Sequence, residues 1–243
     1  MRGQIVPGKI YHVLNRGVDG RKIFEEDRDY LRFIHDLFEF NDQNPINNNS
    51  HHFRHQNQYN DIGSRYIIAS DKKHQVRKFL VELLAFAVMP NHYHLLVKPL
   101  TEDALLKFIR RLNIGYANYF NQKNKRRGTL FEGRYKSIAV ENDAHFIHLP
   151  YYIHCNPLDL HAPEWRRREM KNKKSAIEFL NKYRWSSHMD YYGIKNFPSV
   201  TQREHLLQFF GGEKGYKKTF EQWLNDFSGK NEIDVVDIAL EPI

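Results

Sequence analysis

Apolar and polar positions alternate along Lys9 to Arg16 (KIYHVLNR), with Tyr11, Val13 and Asn15 on one face. A period of two predicts a first β-strand. Asn15-Arg16-Gly17 and Asp19-Gly20 supply turn chemistry after it. From Glu25 to Phe40 the period becomes helical, and Tyr30, Phe33, Ile34, Leu37 and Phe38 line one stripe. Asn41 to Asn60 differs in kind: it is rich in Asn, Gln and His with almost nothing to bury, and reads as a polar insertion or long loop. Its His51, His52 and His55 read as solvated side chains rather than ligands.

Apolar character then returns. Val81–Val88 and His92–Lys98 predict a hairpin about a Pro-Asn turn. Thr101 opens a helix, with Glu102 and Asp103 suited to its positive end and Leu105, Leu106, Ile109, Leu112 and Tyr116 at helical spacing. Arg134–Val140 reads as a strand. Asp143 begins a helix through AHFIHLPYYIHC, where Pro150 predicts a kink or a late start, and Asn156-Pro157 ends it. The first six elements have the order of an α+β, ferredoxin/RRM-like fold, an antiparallel sheet with helices on one face. The expected organisation is one domain over 1–160, interrupted by the polar tract at 41–60, and a basic, helical C-terminal extension over 161–243. That extension carries a basic segment (Trp165–Lys174), a helix near Ser175–Tyr183, the run RWSSHMDYYG and two short helical stretches.

Composition narrows the class. No apolar run approaches bilayer length, and the N-terminus lacks the apolar segment of a signal peptide. One cysteine, Cys155, fits a reducing compartment and reads as a small packed hydrophobe. The expected location is cytoplasmic, with no membrane partner. A net charge of +8 points to a polyanion. It is concentrated between Ala104 and Lys136, where Lys107, Arg110, Arg111, Lys123, Lys125, Arg126, Arg127, Arg134 and Lys136 face a single acid, Glu132. Aromatic residues are interleaved with them, so the segment reads as a platform for single-stranded nucleic acid. The candidate DNA contacts are Arg110, Arg111, Lys123, Lys125, Arg126, Arg127, Arg134 and Lys136.

Candidate chemistry sits on the hairpin and the helix after the last strand. His92 and His94 share one face of their strand while Tyr93 takes the other, which makes the imidazoles a ready pair of metal ligands. A His-x-His spacing alone is weak, since 14 histidines in this length give about one such pair by chance. Core histidines satisfied by backbone remain the alternative. Tyr152 and Asn156 are four residues apart and share a helix face, where an amide oxygen could complete a mixed N/O site suited to Mg²⁺ or Mn²⁺. By pattern alone, Tyr152 reads as a buried helix tyrosine.

Four segments, MPNHYHLLV, NYFNQKNKRRGTLFEGRYKS, YYIHCNP and YRWSSHMDYYG, stand in order between about Pro7 and Gly193. Together they resemble the HUH single-strand transposases, and more closely the REP-associated tyrosine transposases. The resemblance implies the RRM-like HUH fold, with His92 and His94 as the metal pair and Tyr152 as the nucleophile. It places Asn156 as third metal ligand and leaves Tyr151 as a neighbouring rival, with Tyr116 and Tyr119 weaker ones. It further implies a divalent metal, Mg²⁺ or Mn²⁺, and a single-stranded, hairpin-forming DNA substrate. Cleavage would pass through a 5′-phosphotyrosine, in a monomer or a homodimer. Two other classes stay open: a nucleic-acid-binding module that keeps the fold without the chemistry, and a metal-dependent hydrolase that uses water.

Overall fold

The computed structural model describes residues 4–44 and 77–227, so most of the polar tract, with His51, His52 and His55, lies outside the described residues. Four strands form one sheet: β1 (Tyr11–Arg16), β2 (Val81–Met89), β3 (His92–Pro99) and β4 (Lys136–Ala139). Their order is β2-β3-β1-β4, and every neighbouring pair is antiparallel. This is the expected α+β, ferredoxin-like arrangement. The β2–β3 hairpin turns at Pro90-Asn91, and a bulge between Leu83 and Ala85 shifts its register.

Two helices cover one face of the sheet: α1 (Asp27–Glu39) and α2 (Ala104–Lys123). Tyr30, Phe33, Ile34 and Leu37 of α1 meet Leu105, Phe108, Ile109, Leu112 and Tyr116 of α2 over Val13, Tyr93, Leu95 and Val97. A buried carboxylate ties the two helices together. Asp29 accepts from the Glu25 amide at 2.9 Å, from Tyr119 Oη at 2.9 Å and from Lys123 Nζ at 2.7 Å. The second helix starts at Ala104 rather than Thr101 because the preceding side chains bond elsewhere. Thr101 Oγ1 donates to Asp103, and Asp103 pairs with Lys107 instead of capping the helix amides.

The opposite face is also buried, which explains why β2 is apolar at nearly every position. It is covered by α3 (Asp143–Cys155), two 3₁₀ turns (Asn156–Leu160 and Pro163–Arg167), α4 (Lys173–Leu180), α5 (His188–Tyr191), α6 (Glu204–Phe210) and α7 (Gly212–Phe227). Leu149, Tyr151, Ile153 and Leu158 pack there with Leu84, Ala85, Ala87 and Leu96 of the sheet and Tyr216, Phe220 and Trp223 of α7. The expected late start of α3 does not occur. Asn142 Oδ1 accepts the His145 amide at 2.7 Å, so the helix is nucleated well ahead of Pro150.

The run Trp185–Ser187 closes the outer edge of the sheet. Val88 N–H donates to the Trp185 carbonyl at 2.8 Å, Ser187 N–H to the Phe86 carbonyl at 3.0 Å, and Phe86 N–H to Ser187 Oγ at 2.9 Å. An edge that would otherwise offer itself to another chain is thereby capped from within. Ser187 also meets His154 Nε2 at 2.7 Å, and His154 Nδ1 meets Tyr216 Oη at 2.6 Å, so one imidazole joins α3, α7 and the capped edge.

His188 lies beside this network, with Nε2 at 3.2 Å from Asn181 Oδ1 and its ring against His154, Tyr192, Tyr216 and Phe220. Burial pushes its pKa down to about 3. The unfolded chain therefore binds a proton near pH 6.5 that the folded chain refuses. Stability falls as pH drops from about 6.5 toward 3, by on the order of 2–3 kcal/mol at pH 4 from this residue. His188→Gln keeps a donor for Asn181 but has no proton to take up. Its melting temperature should fall less than that of the wild type between pH 7 and pH 4, as read by circular dichroism. Equal falls would show that His188 does not couple folding to pH.

Candidate active site

His92 and His94 leave β3 on the face covered by α3, and both are buried. Their ring centroids are 5.0 Å apart, with the planes nearly perpendicular. His92 Nδ1 lies 2.7 Å from Asn91 Oδ1. An amide oxygen only accepts, so His92 carries its proton on Nδ1 and its lone pair on Nε2. His94 Nδ1 lies 2.9 Å from His12 Nε2, and the two rings stack at 5.1 Å. With His94 as the donor in that contact, its lone pair too is on Nε2. Burial, reinforced by the charge of Arg166, lowers the His94 pKa to about 3, so the imidazole is neutral.

His12 was missed by the reading of the sequence, although its signal was present. It is a polar position on β1 that faces away from Tyr11 and Val13, and it stands opposite Leu96, one diagonal step from His94. The period-of-two argument that paired His92 with His94 places His12 on the same side.

The two consecutive tyrosines of α3 part company. Tyr151 Oη donates to Thr219 Oγ1 at 2.6 Å, and its ring packs among Phe210, Tyr216, Phe220 and Trp223. Tyr152 turns toward the histidines, its ring edge-on to His12 and to His94 at 6.3 Å each. Tyr116 and Tyr119 bond Ile23 and Asp29 on the other side of the sheet. Asn156 Nδ2 donates back to the Tyr152 carbonyl at 2.9 Å, which aims Oδ1 outward. Arg166, from the second 3₁₀ turn, fills the space between them. Nη1 donates to Tyr152 Oη at 2.9 Å and Nη2 to Asn156 Oδ1 at 2.8 Å, while Asp159 grips the guanidinium through Nε and Nη2 at 2.8 and 2.7 Å. Burial opposes the charge, but Asp159 and Tyr152 outweigh it and raise the Arg166 pKa. No sequence motif marked Arg166.

The basic residues divide between the two sides. Arg134 and Lys136 line a cleft of about 140 Å³ with Leu14, Asn15, Arg16 and Glu132. Arg16 stands opposite His92 in the β1–β3 ladder and pairs with Glu132. Lys123 is bound to Asp29 and Glu26, and Arg111 donates to the Asp42 carbonyl at 2.7 Å. Arg126 braces its own loop through Asn121 and Thr129. Arg110, Lys125 and Arg127 are exposed, the first on α2 and the others just beyond it. The structure thus brings Arg134 and Lys136 to the histidine end of the sheet, while α2 with Arg110, Arg111 and Lys123 lies against the opposite face.

The donor set suits the divalent ion that the sequence resemblance implies. It consists of two imidazoles held in orientation by Asn91 and His12, with an oriented amide beside them. Among the described residues no group of three His, Cys, Asp or Glu gathers as a metal centre. The amide beside the imidazoles is that of Asn156, whose oxygen here accepts from Arg166.

Three comparisons bear on this arrangement. Residues 54–156 match the family model described as transposase, IS200-like. No curated protein matches the chain. Among solved structures, a REP-associated tyrosine transposase bound to a REP hairpin is similar at a TM-score of 0.47 and 12% identity, over 82% of this chain and 88% of that one. The stretch that runs through the histidine-bearing hairpin and on to Tyr152 and Asn156 is thus similar in sequence to the IS200-like transposases.

Proposed function

We propose that the protein is a divalent-metal-dependent, single-stranded DNA endonuclease and strand transferase, a transposase with Tyr152 as nucleophile. The observation that carries this reading is the meeting of three groups: a tyrosine edge-on to His94, one of the two buried β3 histidines, its hydroxyl in the hand of a guanidinium, and an amide on the same helix face. His92, His94 and Asn156 would hold the metal, which when bound polarises the scissile phosphate and stabilises charge on the leaving oxygen.

Tyr152 Oη attacks phosphorus, the bond from phosphorus to the 3′-oxygen breaks, and the proton lost by the phenol is balanced by one gained at the new 3′-hydroxyl. The product is a 5′-phosphotyrosine that keeps the energy of the broken ester. A second 3′-hydroxyl can reverse the step without ATP. The substrate is single-stranded DNA held by a hairpin. Its backbone runs through the cleft of Arg16, Arg134 and Lys136, whose cations lie beside the histidines. The non-catalytic binding module is the second reading, favoured by the complete burial of Tyr152.

Incubation with Mg²⁺ or Mn²⁺ and end-labelled hairpin DNA from the gene's flanks separates the two readings. A denaturation-resistant protein–DNA adduct is expected from the wild type and not from Tyr152→Phe, with DNA affinity the same in both. Binding with no adduct under either metal would leave only the binding module, and cleavage that persists in Tyr152→Phe would indicate water as nucleophile.

The divided basic residues give a further expectation. Arg134→Ala should weaken DNA binding about equally across sequences and reduce the slope of log affinity against log salt by about 0.7, one phosphate contact on a single strand. Lys123→Ala should instead destabilise the fold by about 3 kcal/mol, measured by urea unfolding, because it strands the buried carboxylate of Asp29. A Lys123 variant of unchanged stability and weaker DNA binding would return that lysine to the DNA surface.

A further inference from the structure

Arg166 is a partly buried cation whose function the family pattern does not supply. Its side chain is 14% exposed, and it spends at least four donor contacts on three residues. A fork gripped by one carboxylate would already satisfy a structural ion pair. Here Asp159 takes Nε and one edge of Nη2, and two further N–H groups are turned toward Tyr152 Oη and Asn156 Oδ1. Asp159 is itself fixed, because Trp165 Nε1 donates to its Oδ1 at 2.7 Å. The chain Trp165–Asp159–Arg166 therefore aims a rigid guanidinium at the oxygen that the proposed reaction uses.

The chemistry at that oxygen is constrained. Arginine can only donate, so Tyr152 Oη is an acceptor here, with a lone pair toward Nη1 and its own proton pointing elsewhere. That orientation favours negative charge on the oxygen as the phenol loses its proton. Once Oη is joined to phosphorus, the non-bridging phosphoryl oxygens lie next to the same planar fork, which matches phosphate geometry. One group thus serves both sides of the bond-forming step.

We propose that Arg166 is a catalytic residue: it orients Tyr152 Oη for attack and stabilises the charge that gathers on the phosphoryl group, through the phosphotyrosine and its reversal. Asp159 is its positioning residue. The inference rests on the reading of Tyr152 as nucleophile.

Single-turnover adduct formation at saturating hairpin DNA, with Mn²⁺ present, tests it. The wild type, Arg166→Ala, Arg166→Lys and Asp159→Asn are compared, and the adducted residue is mapped by mass spectrometry. Arg166→Ala should lose about 10²-fold in rate while the DNA dissociation constant stays within about threefold. Arg166→Lys should recover part of the loss, and millimolar guanidinium added to Arg166→Ala should recover more, a rescue that a packing defect would not show. Asp159→Asn should lose less than Arg166→Ala. Melting temperatures of all variants are read alongside, and the guanidinium rescue decides the matter even if Arg166→Ala is less stable.

An adduct on Tyr152 whose rate is unchanged in Arg166→Ala overturns this inference and leaves the nucleophile standing. A faster rate in Arg166→Ala also overturns it, by making the guanidinium a restraint on Tyr152. A slower rate with no guanidinium rescue and no gain from lysine assigns Arg166 to packing alone. The absence of any adduct on Tyr152 in the wild type removes the functional reading itself.

Discussion

In β3, odd and even residues leave the backbone on opposite sides, and neither side is given to water. Tyr93, Leu95 and Val97 enter the core under α1 and α2, while Leu96 enters the one under α3 and α7, with His94 buried alongside it. Two apolar cores require two covers, and the second cover decides the character of the site. A histidine pair on a solvated sheet face would need no particular partners. Beneath α3, each imidazole nitrogen must find a partner or cost free energy. Asn91 and His12 meet the Nδ1 atoms, and with each Nδ1 as donor the arrangement that satisfies burial leaves both Nε2 lone pairs for a metal.

The same burial explains how a guanidinium comes to sit beside a phenol. A lone arginine under a protein surface is strongly disfavoured, and Asp159 compensates it with both carboxylate oxygens. Replacing such a pair with apolar side chains is often neutral or stabilising in proteins, so its presence is weak evidence for stability. Its direction is more informative. The guanidinium lies over the Trp165 ring at 5.0 Å, and its fork points at Tyr152 and Asn156, on the histidine side of the sheet. The 3₁₀ turns that follow α3 act as a bracket for Tyr152 and Asn156.

Much of this was legible in the chain. The change of period from two to 3.6 located β1, α1, the hairpin and α2 within a few residues, because each has one buried face and short polar flanks. The helix at Asp143 was found, and of the kink or late start that Pro150 suggested the late start is absent; a strong cap at Asn142 outweighs one missing hydrogen bond further on. The second layer over the sheet was harder to see. Its contacts join residues far apart in sequence, such as Tyr151 with Thr219 and His154 with Tyr216, and no local period encodes them. Arg166 was invisible for the same reason. It lies in a basic segment where any of several arginines would read as a solvated charge, and only the fold selects the one that turns inward. Lys123 illustrates the converse: composition put it on a nucleic-acid surface, while Asp29, distant in sequence, holds it against α1.

The pair Tyr151-Tyr152 shows how finely such a site divides labour between structure and chemistry. Successive helical side chains diverge by about 100°, so two identical residues can serve opposite demands. Tyr151 gives its ring to the aromatic cluster of α6 and α7 and its hydroxyl to Thr219, which anchors the second cover to the sheet. Burial and Tyr151's place in that cluster push its pKa up to about 12, so it is a poor source of phenolate. Tyr152 is just as buried, but its hydroxyl meets a cation instead of a neutral alcohol. The two phenols are distinguished by what their oxygens touch, and the helix turn that separates them lets one hold the fold while the other turns to the histidines and Arg166.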